Sequence, residues 1–239
     1  MAYQAIFKRY EIKYMLSRRQ QEQLIRVMQP YMALDKFGHT TIRNIYFDTD
    51  TYRLIRHSLE KPSYKEKLRI RSYSRAEHNS PVFVELKKKY RSVVYKRRIS
   101  MPEHEAIDWL LNGTSHPVDS QIAQEIDYFK DFYETLHPAV FLSYERDAYY
   151  SLAGDDFRVT FDQNILSREV DLSLESEVWG TPLLGKDQVL LEIKTPGAIP
   201  LWMTHFLTEQ KIYKTSFSKY GTAYNNIILE REFGGHLYA

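Results

Sequence analysis

Cysteine is absent from the 239 residues. That excludes a disulfide scaffold, zinc–thiolate and iron–sulfur sites, and a thiol nucleophile. Glycine and proline are scarce, nine of each, so the chain is neither fibrous nor a low-complexity linker. No apolar run approaches the ~20 residues of a membrane-spanning helix. Lys8, Arg9, Glu11 and Lys13 interrupt the first apolar stretch, which therefore does not read as a secretory signal. The eight histidines have no metal-ligand spacing. Charge of one sign is also lacking: 33 Lys and Arg face 31 Asp and Glu, a net of +2. That balance does not describe a nucleic-acid binder. What remains is a globular chain, expected to form one domain over residues 1–239 in the cytoplasm. Aromatics are abundant, with 19 Tyr and 12 Phe, and they favour a β-rich interior.

Periodicity organises the chain. Residues 3–15 read as a strand, and Ser17 with Gln20 resembles a capping box that starts a helix ended by Pro30. Further strands are expected at 41–48, 66–73, 81–89 and 92–100, with a short helical stretch at 50–59. A helical insertion at about 101–137 follows, beginning near Ser100 and Pro102, with a second helix at 119–136. Strands return at 139–149, 157–162, 165–174 and 188–195, and helices at 200–210 and 216–230 close the chain.

Residues two apart on a strand share a face. Glu11 and Lys13 therefore oppose Ile12, Glu85 and Lys87 oppose Val84 and Leu86, and Glu192 and Lys194 oppose Leu191 and Ile193. Arg69 and Arg71 oppose Leu68 and Ile70, and Arg158, Thr160 and Asp162 oppose Val159 and Phe161. An ordinary half-solvated sheet has an apolar and a polar face too. Here, however, the polar faces carry Arg and Lys in pairs with single Glu residues among them. Amphipathic helices are also available to cover the apolar side. The arrangement expected is α+β: a closed antiparallel β-barrel with a charged lumen and helices packed outside. Closure would also remove the edge strands.

A lumen of guanidinium and ammonium groups needs anions. Arg suits phosphate through its bidentate fork and Lys as a point charge. The interspersed Glu residues, Glu11, Glu85 and Glu192, are candidate ligands for Mg²⁺ or Mn²⁺ bridging phosphate oxygens. The substrate class that follows is a linear polyphosphate or a nucleoside triphosphate.

The ordered set EIKY (11–14), RNIYFDT (43–49), KLRIRSY (67–73), VELKKK (84–89), YKRR (95–98), YERDAY (144–149), RVTFD (158–162), LLEIKT (190–195) and FSKY (217–220) resembles the vacuolar transporter chaperone (VTC) domain. That domain is the polyphosphate polymerase branch of the triphosphate tunnel metalloenzymes, relatives of the CYTH group. The resemblance implies a β-tunnel that passes the γ-phosphate of ATP to a polyphosphate chain with a divalent metal. It assigns phosphate binding to Lys13, Arg69, Arg71, Lys87, Arg146, Arg158 and Lys219, and metal binding to Glu192. Tyr144 matches a position near the nucleotide, and Lys194 joins the binding set beside Glu192.

Two positions depart from the wider pattern. The hydrolases begin Glu-x-Glu-x-Lys, whereas this chain has Arg9, Glu11 and Lys13. A second lysine often precedes the last one by three residues; Ser216 stands there, with Lys214 two residues earlier. Regulatory and membrane domains of larger members are missing from the sequence, so export of a product would need a separate membrane partner. Several readings stay open. Glu192 could form only an ion pair, Tyr144 could be a wall residue, Lys96 and Arg98 could face lumen or surface, and Lys88 and Lys89 could be solvated. A triphosphatase and a non-catalytic polyphosphate- or nucleotide-binding module are the rival functions.

Overall fold

The computed structural model describes residues 10–91 and 93–229. The part of the first expected strand before Tyr10, Arg9 included, lies outside them. Strand β1 (Tyr10–Ser17) leads into helix α1 (Arg18–Met28) through the expected capping box. Ser17 Oγ accepts from the Gln20 amide at 3.2 Å, and Gln20 Oε1 accepts from the Ser17 amide at 2.9 Å. Then come β2 (Met32–Asp48), α2 (Arg53–Leu59), β3 (Tyr64–Ser72), β4 (Pro81–Tyr90) and β5 (Val93–Pro102). Helices α3 (Glu103–Leu111) and α4 (Gln121–Tyr133) precede β6 (His137–Ser151) and β7 (Arg158–Arg168). The chain continues through β8 (Thr181–Pro182), β9 (Gln188–Thr195), α5 (Leu201–Glu209), β10 (Lys214–Thr215), α6 (Lys219–Ala223) and a π-helical turn, Tyr224–Leu229.

The two strands expected at 157–162 and 165–174 are one strand, β7. It continues because Asn164 takes a left-handed conformation (φ 49°) where the β6–β7 register shifts. Asn tolerates that region better than most residues, and its amide donates to Glu145 Oε2 at 2.6 Å.

All pairings are antiparallel, in the order β10-β1-β9-β7-β6-β2-β3-β4-β5, with β8 beside β7. The α+β class holds, but the expected closed barrel does not. Among the described residues no ladder joins β5 to β10, so the sheet is a curled, open trough. The walls meet through side chains instead: Lys87 Nζ of β4 lies 2.9 Å from Glu11 Oε2 of β1.

The expectation that helices pack outside also needs correction. Helices α1 and α5 cover the apolar outer faces of β1, β7 and β9, with Leu24, Met203 and Phe206 against Leu16, Val159 and Leu191. Helices α3 and α4 cover β3, β4 and β5, where Trp109 and Phe129 meet Leu68, Val84 and Ile99. Helix α6 and the π-helical turn instead sit on the concave side. Tyr220, Ala223 and Ile228 pack there against Tyr46, Val140, Leu142 and Leu190. Gly221 permits the approach, since a Cβ there would lie 2.9 Å from Leu59 Cδ2. Buried Asp48 fastens the unit by accepting from the amides of Leu54 and Ile55 and from the Tyr220 hydroxyl at 2.8 Å. The segment entering α6 also spans the walls: Phe217 O accepts from Lys13 Nζ at 2.8 Å, and Ser218 Oγ from Lys67 Nζ at 3.3 Å. The segment entering α6 is thereby tied to both β1 and β3 across the concave side.

Candidate functional site

Register converts the alternation of charges into one concave surface. Arg69 opposes Glu85, which opposes Arg98; Lys67 opposes Lys87, which opposes Lys96; Lys65 opposes Lys89. On this wall of β3, β4 and β5 the carboxylate is Glu85. Across the trough, Lys13 opposes Glu192 and Glu11 opposes Lys194, while Arg158 opposes Lys194 and Thr160 opposes Glu192. Arg146 pairs with Asp162 between β6 and β7. One wall is thus almost purely cationic, and the other mixes cations with three carboxylates.

The arginines are held before any ligand arrives. Arg69 donates through Nε to Glu85 at 2.9 Å and through Nη1 to the Tyr46 hydroxyl at 2.7 Å. Arg71 donates through Nε to Asn44 Oδ1 at 2.9 Å and through Nη2 to the Tyr144 hydroxyl at 3.1 Å. Arg146 forms a fork on Asp162, with contacts of 2.5 and 2.7 Å. Lys219 Nζ reaches the same carboxylate at 2.5 Å and lies 4.4 Å from the Tyr144 ring centre. These contacts occupy part of each guanidinium's donor set and fix the direction of the N–H groups left over.

Titration follows from this packing. Burial would raise the Asp162 carboxyl, but Arg146 and Lys219 pull it down to about 2. Burial would raise Glu85 as well, yet Arg69, Arg71 and Lys96 hold it well below the usual carboxylate range. Glu192 is likewise held low against burial by Lys194, Lys13, Arg146 and Lys219. Burial depresses Lys13 to about 8 despite Glu192. It depresses Lys67 to about 7, with the cations Lys65, Lys87, Lys13 and Arg69 adding to the effect. Burial would raise the Tyr144 phenol, but Arg71, Arg146 and Lys219 bring it down to about 8.

The structure brings Lys13, Arg69, Arg71, Lys87, Tyr144, Arg146, Glu192, Lys194 and Lys219 onto the concave face, together with Glu11 and Glu85. Arg158 shares that face but stands exposed at the start of β7. Lys214 does not: it opposes Tyr14, whose ring belongs to the outer core. Lys96 belongs to the trough, with Nζ 2.5 Å from Glu85. Lys88 is directed outward, 3.5 Å from Glu125.

Sequence reasoning left Lys67, Asp162, Tyr46 and Asn44 out of the site. The same alternation that selected Arg69 and Arg71 also selects Lys67. Tyr46 and Asn44 stand within the RNIYFDT segment, but neutral side chains on a strand do not announce which cation they orient.

Three carboxylates were expected to hold a divalent cation. Glu11 and Glu192 are the better match: they lie on adjacent strands, diagonal in register on the same face. Burial and the Glu192 charge work to raise the Glu11 carboxyl against Lys87, although each carboxylate already has a lysine partner, Lys87 at 2.9 Å and Lys194 at 3.1 Å. Among the described residues no cluster of three or more His, Asp or Glu side chains forms a metal cage. A carboxylate pair suits Mg²⁺ or Mn²⁺ that takes its other ligands from phosphate oxygens and water. Glu85, enclosed by Arg69, Arg71 and Lys96, is the poorest fit.

The VTC domain family model matches residues 8–228, which include every element of this surface. The chain belongs to the VTC domain family. This bears out the resemblance carried by the motifs. No curated protein matches the chain by sequence. Among solved structures, the VTC domain is similar in fold to a Bacillus halodurans protein provisionally described as an adenylate cyclase. The TM-score is 0.56 at 16% identity, covering 90% of this chain and 96% of that one. It is also similar to HpAC1 from Hippeastrum, provisionally an adenylyl cyclase and described as having a dominant triphosphatase activity. There the TM-score is 0.52 at 17% identity, covering 89% and 93%. In the VTC domain no described helix is long and apolar enough to cross a membrane.

Proposed function

We propose that this VTC domain is a metal-dependent phosphotransferase, one domain in extent, that moves the γ-phosphate of ATP onto a linear polyphosphate. The observation that carries the reading is the pairing of two unlike walls. A cationic wall on β3, β4 and β5 faces a wall where Glu11 and Glu192 stand among Lys13, Lys194, Arg146 and Lys219.

In this reading the cationic wall binds and neutralises phosphate oxygens. Arg69 and Arg71 present directed N–H groups, and Lys87 and Lys13 add point charge. Arg146 and Lys219, both anchored on Asp162, bracket the reacting phosphoryl group and hold it in line. The acceptor is a phosphate oxygen already ionised at neutral pH, so no strong general base is required. A cation on Glu11 and Glu192 would supply further charge neutralisation at phosphate oxygens. Glu85 serves as the counter-ion that positions Arg69, Arg71 and Lys96.

A triphosphatase is the second reading, favoured by the activity described for the Hippeastrum relative of the same fold. Water in place of the acceptor phosphate is the chemical difference. Incubation with ATP, Mn²⁺ and a short polyphosphate primer, followed by gel analysis of chain length, separates the two. A ladder longer than the primer, lost in Glu192→Gln, supports the polymerase. Free phosphate without elongation replaces it with the triphosphatase. Polyphosphate binding with no turnover at all would leave a binding module.

A further inference from the structure

Among the described residues, each cluster on the concave face carries a carboxylate except one. Asp162 serves Arg146 and Lys219, Glu85 serves Arg69, Arg71 and Lys96, and Glu11 serves Lys87. Lys67 has no carboxylate at ion-pair distance among the described residues. Its hydrogen bond goes to Ser218 Oγ at 3.3 Å, and its ammonium lies 5.8 Å from the Tyr220 ring centre. Its strand neighbours on the same face are Lys65 and Arg69, and Lys87 stands directly opposite. Lys65, opposite Lys89, spends one donor on the Ser58 carbonyl at 3.2 Å. The ammonium of Lys89 makes no hydrogen bond or ion pair among the described residues.

Cations gathered without a counter-ion repel one another, and a partly buried one also loses hydration. An anion relieves both penalties. The row runs from Arg71 to Lys65 along β3, about 20 Å at strand rise, which is longer than a triphosphate. Its Arg69–Arg71 end is already organised by Glu85, Tyr46 and Asn44, and its lysine end is not.

We propose that Lys67, with Lys65 and Lys89, forms a chain subsite that binds the inner phosphates of a linear polyphosphate longer than three units. This rests on the reading of the trough as a phosphate-handling site and adds to it a direction. The nucleotide end lies at the arginines, and the chain lies along the lysines of β3 and β4.

The test compares the whole chain as wild type, Lys67→Met and the Lys65→Met/Lys89→Met double variant. Probes are inorganic tripolyphosphate and long-chain inorganic polyphosphate, measured by calorimetry at two salt concentrations. The subsite requires each variant to lose about tenfold or more in long-chain affinity. It also requires a shallower salt dependence, by analogy with other polyanions, and a much smaller change with tripolyphosphate. K67M should melt at or above the wild-type temperature, because an unpaired cation has been removed. Equal losses with both probes, or no loss with either, overturn the subsite while leaving the trough intact. A large fall in melting temperature for K67M also overturns it, by making the Ser218 contact structural. Wild-type protein that binds neither probe overturns the phosphate-handling reading itself.

Discussion

Asp162 is the residue whose neutralisation should be most informative. Its side chain is fully buried, and among the described residues it alone pairs with both Arg146 and Lys219. Asp162→Asn preserves shape and removes the charge, leaving two cations without a counter-ion. Breaking a buried pair this way typically costs about 3–5 kcal/mol. Arg146 and Lys219 keep 15% and 10% of their side-chain surface, so solvent screening puts the expectation at about 3 kcal/mol. For a chain of this length that lowers the melting temperature by about 6–12 °C. Saturating tripolyphosphate supplies the missing negative charge, so the deficit should shrink with ligand. Turnover should fall further than stability, because the guanidinium fork loses its fixed orientation. Differential scanning calorimetry with and without tripolyphosphate measures the deficit and its recovery, and a phosphate-release assay measures turnover. A variant melting within 2 °C or so of wild type, or a deficit that ligand leaves unchanged, refutes the reasoning.

Other outcomes follow from the same geometry. Arg71→Ala should weaken tripolyphosphate binding by about 10–100-fold, the worth of a charge-assisted contact, while circular dichroism shows a folded protein. Polyphosphate affinity should fall as pH rises through 7 to 8, where Lys67 and Lys13 deprotonate. Calorimetry in buffers of different ionisation heat should then detect proton uptake on binding. Without ligand, stability should move the opposite way. The unfolded chain binds more protons between about pH 7 and pH 10, so these two lysines make folding more favourable as pH rises there. Asp162 acts at the acid end: its contribution is complete above about pH 4 and is lost as pH falls towards 2. Trp109→Ala, which empties a buried site and removes the indole donation to Asp127 at 2.7 Å, should cost about 3–5 kcal/mol in denaturant unfolding. Ligand affinity per folded molecule should stay as in wild type.

The sequence made the faces legible because alternation is local. Glu192 with Lys194, Glu85 with Lys87, and Arg69 with Arg71 all point into the trough, as two-residue spacing requires. The capping box at Ser17 and the strand over 188–195 were legible for the same reason. Closure was not, because it depends on whether the edge strands β5 and β10 meet, and alternation within one strand says nothing of that. Hydrophobic spacing in 216–230 marks a helix but not the wall it packs against, and here it packs inside, beside Tyr46 and Leu190. Strand β7 is not legible as one element, because the left-handed Asn164 that carries it through the bulge leaves no trace in a polarity pattern. Asp162 was seen to face inward, but its partners Arg146 and Lys219 lie 16 and 57 positions away. Only the fold joins them.

The central claim is that the polyanion lies between the β3–β5 wall and the Glu11–Glu192 pair. Crystals soaked with tripolyphosphate and Mn²⁺, with anomalous data collected at the manganese edge, test it most directly. The account predicts phosphate density against Arg69, Arg71 and Arg146, with an anomalous peak at coordination distance from Glu192. Density for the polyanion on the outer face, or manganese away from both Glu11 and Glu192 with an empty trough, would contradict it.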